Sequence, residues 1–501
     1  MYAGFGFRIS EIGDVEVVRS GGLFHLFHLV LPNHDYIAHA VSDDGLSWER
    51  VENALFISHP GTWDDDMLWT MSVSPDPHRD RWWRMFYTGL SMRDRGRVQR
   101  VGLARSSNLF DWEKDDSGAF PLELTAPPYE HSLEQGRHWV SFRDPYFVRV
   151  DGKGYLLAAG RVDHGPVIRR GAVAVFEEAA PDRFEPRAPL FHPSRYDDIE
   201  VPVPVELGGR WYLLGSIRED VKVHYWHADA FEGPYLNFSD NVLLPQGNYA
   251  ARVCRDGERW LVWNFFFKGR VTDGQHLLPP PKELRADEDG ELYLASFSGF
   301  DERVQDTTSG TDLLPLEPLF GLEAAVSEAE DGVARFGCDS GFETFLLPGV
   351  HRDFRLRGEL HMDGSGKIGL ALRLTEDGDG YYLSLDLPKG IAQLRAWGAH
   401  PGGDVQEAFD YVPLQSNFYV PHGDPHPFTL LAYGSYLEFS LDGAVLLTLA
   451  DERFVEGRVG FYAESARLRL QDLTLETLLC PPEEPYTTHL PLGGGAPGAD
   501  D

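Results

Sequence analysis

The chain has 501 residues, with 45 Lys plus Arg against 79 Asp plus Glu and a formal net charge of -34. A surplus of that size repels phosphate backbones and anionic headgroups, which sets aside nucleic acid and membrane partners in favour of a neutral ligand. At 42% hydrophobic and 13% aromatic the chain carries the apolar surface of a folded protein, and disorder is excluded.

The N-terminus, Met1 to Arg8, lacks a basic segment followed by an apolar stretch. Nor does the chain contain the run of roughly 18 apolar residues that spans a bilayer, so a cytoplasmic protein is expected. Five segments then repeat one pattern, a turn rich in Gly, Asp or Arg followed by an aromatic or apolar strand. They begin at Arg19, Arg79, Asp151, Gly208 and Asp256. After four of them comes a strand of alternating small and apolar residues, starting at Tyr36, Arg100, Gly171 and Lys222. Short strands and hairpin turns without an amphipathic helix predict an all-β chain, opening with a five-bladed β-propeller over residues 1–295.

Residues 296–315 are polar and weakly patterned, as a linker is. Alternating strands such as Phe354–His361 and Tyr381–Leu387 predict a β-sandwich over 316–482. Residues 483–501, rich in Gly and Pro, are expected to form a flexible tail. Cys254, Cys338 and Cys480 lie too far apart for a disulfide framework or a zinc site.

In a propeller the first strand of each blade lines the central channel, so residues placed alike before each repeated hairpin converge on one cavity. Asp14 stands ten residues before Phe24, Asp144 eleven before Tyr155, and Glu200 eleven before Trp211. Blade two offers Trp69 and Ser72 near that level, and blade five offers Asn248 and Tyr249. Carboxylates grouped in this way repel one another unless one holds a proton. That arrangement suits a general acid beside an ionised nucleophile. Two plainer readings stand beside it: chance matching in a chain rich in acids, and carboxylates that hold Ca²⁺ in the channel.

With these residues placed, the chain resembles glycoside hydrolase family 32, the β-fructofuranosidases, which combine a five-bladed propeller with a β-sandwich. Phe142-Arg-Asp-Pro145 is similar to the family's Arg-Asp-Pro, and Glu200-Val-Pro202 to its Glu-Cys-Pro. His25-Leu-Phe27, His39-Ala-Val-Ser42, Trp48-Glu49, Trp69-Thr-Met-Ser72 and Tyr87-Thr-Gly89 follow further family segments. The resemblance implies Asp14 as nucleophile, Glu200 as acid/base and Asp144 as transition-state stabiliser. It also implies Arg143, Trp69, Ser72 and His28 as substrate contacts. It calls for no metal or organic cofactor, and for a neutral oligo- or polysaccharide substrate.

The departures cluster around the nucleophile, where the family's Asn-Asp-Pro-Asn-Gly is replaced by Gly13-Asp14-Val15-Glu16-Val17. His28 and Leu29 stand where the family has Tyr and Gln, and Val201 replaces its Cys. Three alternatives remain at this point: an inverting arabinofuranosidase or xylosidase like those of family 43, a fructosyltransferase, and a carbohydrate-binding propeller without catalysis.

Overall fold

The computed structural model describes residues 1–2, 11–267, 276–363, 366–398, 411–421 and 423–481, and the expected tail 483–501 lies outside them. The chain divides after Leu292 into two units.

The first unit holds five antiparallel sheets whose strands follow chain order from the inside out. Their first strands are Glu11–Ser20, Met67–Pro75, Arg143–Val150, Glu200–Leu207 and Asn248–Asp256. Each neighbours the next, and Asn248–Asp256 returns to Glu11–Ser20, which closes the ring of a five-bladed propeller. Tight hairpins link first to second strands, and Gly22, Gly152, Gly209 and Gly257 take the left-handed φ that such turns require.

The second strands are apolar almost throughout because blades stack face to face, burying both surfaces of each sheet. Phe27, Leu29, Met71 and Tyr87 share one cluster between blades one and two. Phe86, Leu103, Phe142 and Leu156 fill the next interface, and Leu157, Val173, Leu213 and Trp226 the one after that. These contacts fix the spacing of the first strands, and so of whatever the strands carry into the channel.

The second unit is a β-sandwich-like sheet organised by one long strand, Arg458–Leu478, which pairs with Val333–Leu346, Phe354–Asp363 and Lys367–Leu374. Leu356, Leu370, Phe428, Phe439, Phe461 and Leu470 lie in its apolar core. Val304–Ser309, within the stretch expected to be a linker, is instead a strand paired with Arg458–Leu478. Its polar residues misled the sequence reading because an edge strand needs only one partner for its backbone. Among the described residues no helix is long and apolar enough to cross a membrane.

Candidate active site

All five first strands break their pairing at the same depth. The register slips between Ile12 and Val15, Trp69 and Met71, Arg143 and Tyr146, Glu200 and Val203, and Tyr249 and Arg252. A bulge leaves residues unpaired and turns their side chains off the alternating pattern, and here five bulges ring one channel. In three of them a residue with a side chain adopts left-handed backbone: Asp144 at φ 59°, Val201 at 50° and Ala250 at 53°. Such backbone is strained outside glycine, above all for β-branched Val201, and is held by its surroundings.

The bulges sort the channel into three tiers. The last paired residues, Trp69, Arg143, Glu200 and Tyr249, form the first tier. Glu200 is the hub there. Its Oε1 accepts from Arg143 Nη2 at 2.6 Å and from Arg218 Nη2 at 2.7 Å, and its Oε2 accepts from the Tyr249 hydroxyl at 2.6 Å. Arg218 is two-thirds exposed, so this end of the channel faces solvent.

The bulged residues Asp14, Thr70 and Asp144 form the second tier, where the Thr70 hydroxyl donates to Asp14 Oδ2. Asp144 Oδ2 accepts from the Val201 backbone N–H at 3.1 Å. That bond follows from a rule of the ring. The N–H of Asp144 donates to Thr88 Oγ1 of the preceding blade, and that of Ala250 to Ser216 Oγ. The second-strand residue equivalent to Thr88 and Ser216 in blade three is Ala159, which has no hydroxyl, and the Asp144 carboxylate takes its place.

The third tier, Val15, Met71, Tyr146, Val203 and Arg252, floors the channel. Arg252 is fully buried, and its Nε lies 3.1 Å from Glu16 Oε2.

Burial first, then the negative charges of Asp144 and Glu200, push Asp14 up to about 7, although the Thr70 bond and Arg252 pull the other way. Burial raises Asp144 too, and Glu200 adds to it while Arg143 opposes. Glu16 rises to about 7 through burial. Burial works against the charge of Arg143, yet Asp198, Glu200 and Asp144 hold its pKa well above the usual range. Asp198 Oδ2 lies 3.1 Å from Arg143 Nη2, and both its oxygens accept from Arg137, at 2.9 and 3.1 Å.

Asp14, Asp144, Glu200, Arg143 and Trp69 thus meet around one channel. Trp69 is partly exposed, with a buried indole N–H that has no partner. Two expected contacts fall away. His28 is fully buried; its Nδ1 donates to the Leu29 carbonyl at 2.8 Å, and its Nε2 meets Tyr2 and Arg50, which leaves neither nitrogen for a sugar. Ser72 lies one step beyond the floor, level with Glu16, and makes no bond to the three carboxylates among the described residues.

Sequence reasoning passed over Thr70, though it stands inside the Trp-Thr-Met-Ser segment, and over Arg218, Asp198 and Arg252, which belong to no repeated pattern. Among the described residues no cluster of His, Cys, Asp or Glu is arranged to hold a metal ion.

Residues 16–224 match the family described as glycosyl hydrolases family 32 N-terminal domain. Among solved structures, the chain is similar to sucrose-6-phosphate hydrolase from Lactobacillus gasseri, with 16% identity, a TM-score of 0.67, and coverage of 93% of this chain and 91% of that one. A Bombyx mori β-fructofuranosidase has 15% identity and a TM-score of 0.66, over 93% and 91% of the two chains. Fructan 1-exohydrolase IIa from Cichorium intybus has 15% identity and a TM-score of 0.66, over 95% and 97%. At these identities the likeness carries the fold. No curated protein matches the chain by sequence.

Proposed function

Because the chain belongs through its propeller to glycoside hydrolase family 32, and is thereby a glycoside hydrolase, we propose that it cleaves β-fructofuranosides with retention of configuration. The observation that carries this reading is the hydrogen-bonded cluster that draws Asp14, Asp144 and Glu200 from three blades to two adjoining tiers of one channel. The silkworm and chicory relatives, solved with sucrose and 1-kestose, support the sugar class.

In this reading Asp14 attacks the anomeric carbon as the glycosidic C–O bond breaks, and Glu200 gives its proton to the departing oxygen. Water then attacks the same carbon, Glu200 takes a proton from it, and the bond to Asp14 breaks. Asp144, held by the Val201 N–H and flanked by Arg143, accepts bonds from ring hydroxyls that tighten as positive charge develops. Arg143, Arg218 and Tyr249 fix the carboxyl of Glu200 in place.

Attack requires ionised Asp14, whose pKa is raised to about 7. The acid limb of kcat/KM is therefore expected near pH 7 rather than near 4, with a tenfold fall per unit below it. The test incubates purified protein with sucrose, inulin, levan and aryl pentosides beside Glu200→Gln and Asp14→Asn. Fructose release that drops roughly 10²- to 10⁴-fold in Glu200→Gln supports the reading. Pentose release without fructose, or turnover in both variants equal to that of the wild type, overturns it.

A further inference from the structure

Arg252 occupies a place that neither the chemistry nor the blade packing explains. Its counterparts on the other four first strands are Val15, Met71, Tyr146 and Val203, three of them apolar and one aromatic, as a closed channel floor demands. A fully buried guanidinium among them is costly unless its donors are used.

Nη2 uses its donors on two other blades and Nε lies beside a carboxylate on a third, while Nε and Nη1 make no hydrogen bond among the described residues. Nη2 donates at 3.1 Å to the carbonyl of Met71, the residue that follows Thr70, and at 3.1 Å to the carbonyl of Pro145, the residue that follows Asp144. Nε faces Glu16, two residues past Asp14, at 3.1 Å. The guanidinium carbon also lies 5.2 Å from the centre of the Tyr146 ring. One side chain from blade five therefore touches blades one, two and three, each just past the bulge that bears a second-tier residue.

We propose that Arg252 is the positioning residue of this site: from the channel floor it clasps the bulges that carry Asp14, Thr70 and Asp144. Its charge also favours the ionised form of Asp14. The proposal rests on the reading of these carboxylates as the reacting groups, and it assigns Arg252 no contact with substrate. The groups that face Asp14 are Thr70 from blade two, Asp144 from blade three, Glu200 from blade four and Arg252 from blade five. Two of these four are acidic and one is a neutral hydroxyl, which leaves Arg252 as the cation among them.

Clasp and charge are separable. Arg252→Lys keeps the charge but cannot donate to two carbonyls while aligned on Glu16, because the ammonium lacks the planar fork. Arg252→Met removes both, and Arg252→Met combined with Glu16→Gln removes both without stranding a buried carboxylate.

The experiment follows Asp14 directly, by infrared difference titration of the full chain. The carboxyl band that disappears in Asp14→Asn reports its protonation without any turnover. In Arg252→Met and in the double variant that titration is expected to rise by about 1, the acid limb of kcat/KM to follow it, and kcat at pH 7 to fall about a hundredfold with KM little changed. In Arg252→Lys the titration should stay in place while kcat falls. A folded double variant in which the titration, the limb and kcat all stay at wild-type values overturns the proposal. A loss of activity that tracks only the unfolded fraction overturns it as well. Should the wild type release no fructose from any substrate, the proposed function fails, and the infrared titration still decides the charge arm on its own.

Discussion

Arg252 in the propeller and Arg373 in the second unit are both fully buried, and both donate to backbone carbonyls. Arg373 sends Nη1 to the Phe454 carbonyl at 3.1 Å, and Nη2 to those of Arg352 and Gly434 at 2.9 and 2.7 Å. Burial lowers its pKa, and its direct partners are peptide groups alone. Arg252 instead faces a carboxylate and stands one tier from a second. The same device closes turns over an apolar core in one unit. In the other it ties together strands whose bulges carry Asp14, Thr70 and Asp144.

The buried carboxyls divide in the same way. In the second unit Glu343 accepts from the backbone N–H groups of Phe320, Leu322 and Thr344, and Glu476 accepts from Arg355 and Arg357. In the propeller Asp14, Glu16 and Asp144 all rise through burial, and Asp14 and Asp144 have other acids as neighbours.

The sharpest way to break this contrast is Arg373→Met. Three carbonyls, one of them in a fully buried bond, lose their donor, so unfolding in denaturant is expected to become easier by about 2 kcal/mol, while fructose release per folded molecule is unchanged. Arg252→Met should show the reverse balance, with the larger effect on turnover. If Arg373→Met lowered turnover as strongly as Arg252→Met does, the division between the two arginines would collapse.

A smaller effect separates the two kinds of carboxyl by pH. Asp14 titrates near 7 in the folded chain against 3.8 unfolded, so the folded state binds the extra proton between those values. The stability linked to that proton is complete below pH 4 and is lost as pH rises through 7. Asp14→Asn cannot ionise and escapes the loss. Its melting temperature should match the wild type below pH 4 and exceed it by a growing margin up to pH 7. Glu16 keeps part of the slope in the variant, because burial raises it in the same direction. A constant gap across that range would mean that Asp14 is ionised throughout.

The sequence disclosed the propeller and its three carboxylates for a common reason. Hairpins repeat, and a fixed offset before a hairpin is a fixed depth in the channel. What it concealed depends on the bulges, which insert residues and reset the two-residue alternation that such offsets assume. Thr70 is the inserted residue of blade two and turns to Asp14, whereas Ser72, singled out from the same segment, has passed below the floor. His28 sits on a second strand beneath Tyr2 and Arg50, a packing detail that no offset encodes. Arg252 and Asp198 act through partners more than fifty residues away, so nothing local marks them.

Asp198 offers the finest test of the contrast, because it is a propeller carboxylate treated as those of the second unit are. Burial raises its pKa, but Arg143, Arg137 and Arg161 outweigh that and hold it below the usual range. Its role follows from what it neutralises: Arg143 shares its Nη2 between Asp198 and Glu200. Asp198→Asn removes one counter-charge from Arg143 and one from Arg137, leaving Arg143 to Glu200 and Asp144 and Arg137 to Asp197. Arg143 would lose one of the two carboxylates that fix its Nη2 beside Glu200, so kcat/KM should fall about tenfold, worth about 1.4 kcal/mol. The acid limb, set at Asp14, should move little. Stability should respond with the opposite sign to that of Asp14: a depressed carboxylate stabilises the fold above pH 4 and loses that contribution as pH falls, so the variant should melt earlier at neutral pH and approach the wild type in acid. Were the acid limb to shift as in Arg252→Met, Asp198 would belong with Arg252 as part of the clasp on the whole site, rather than as a counter-charge for one arginine.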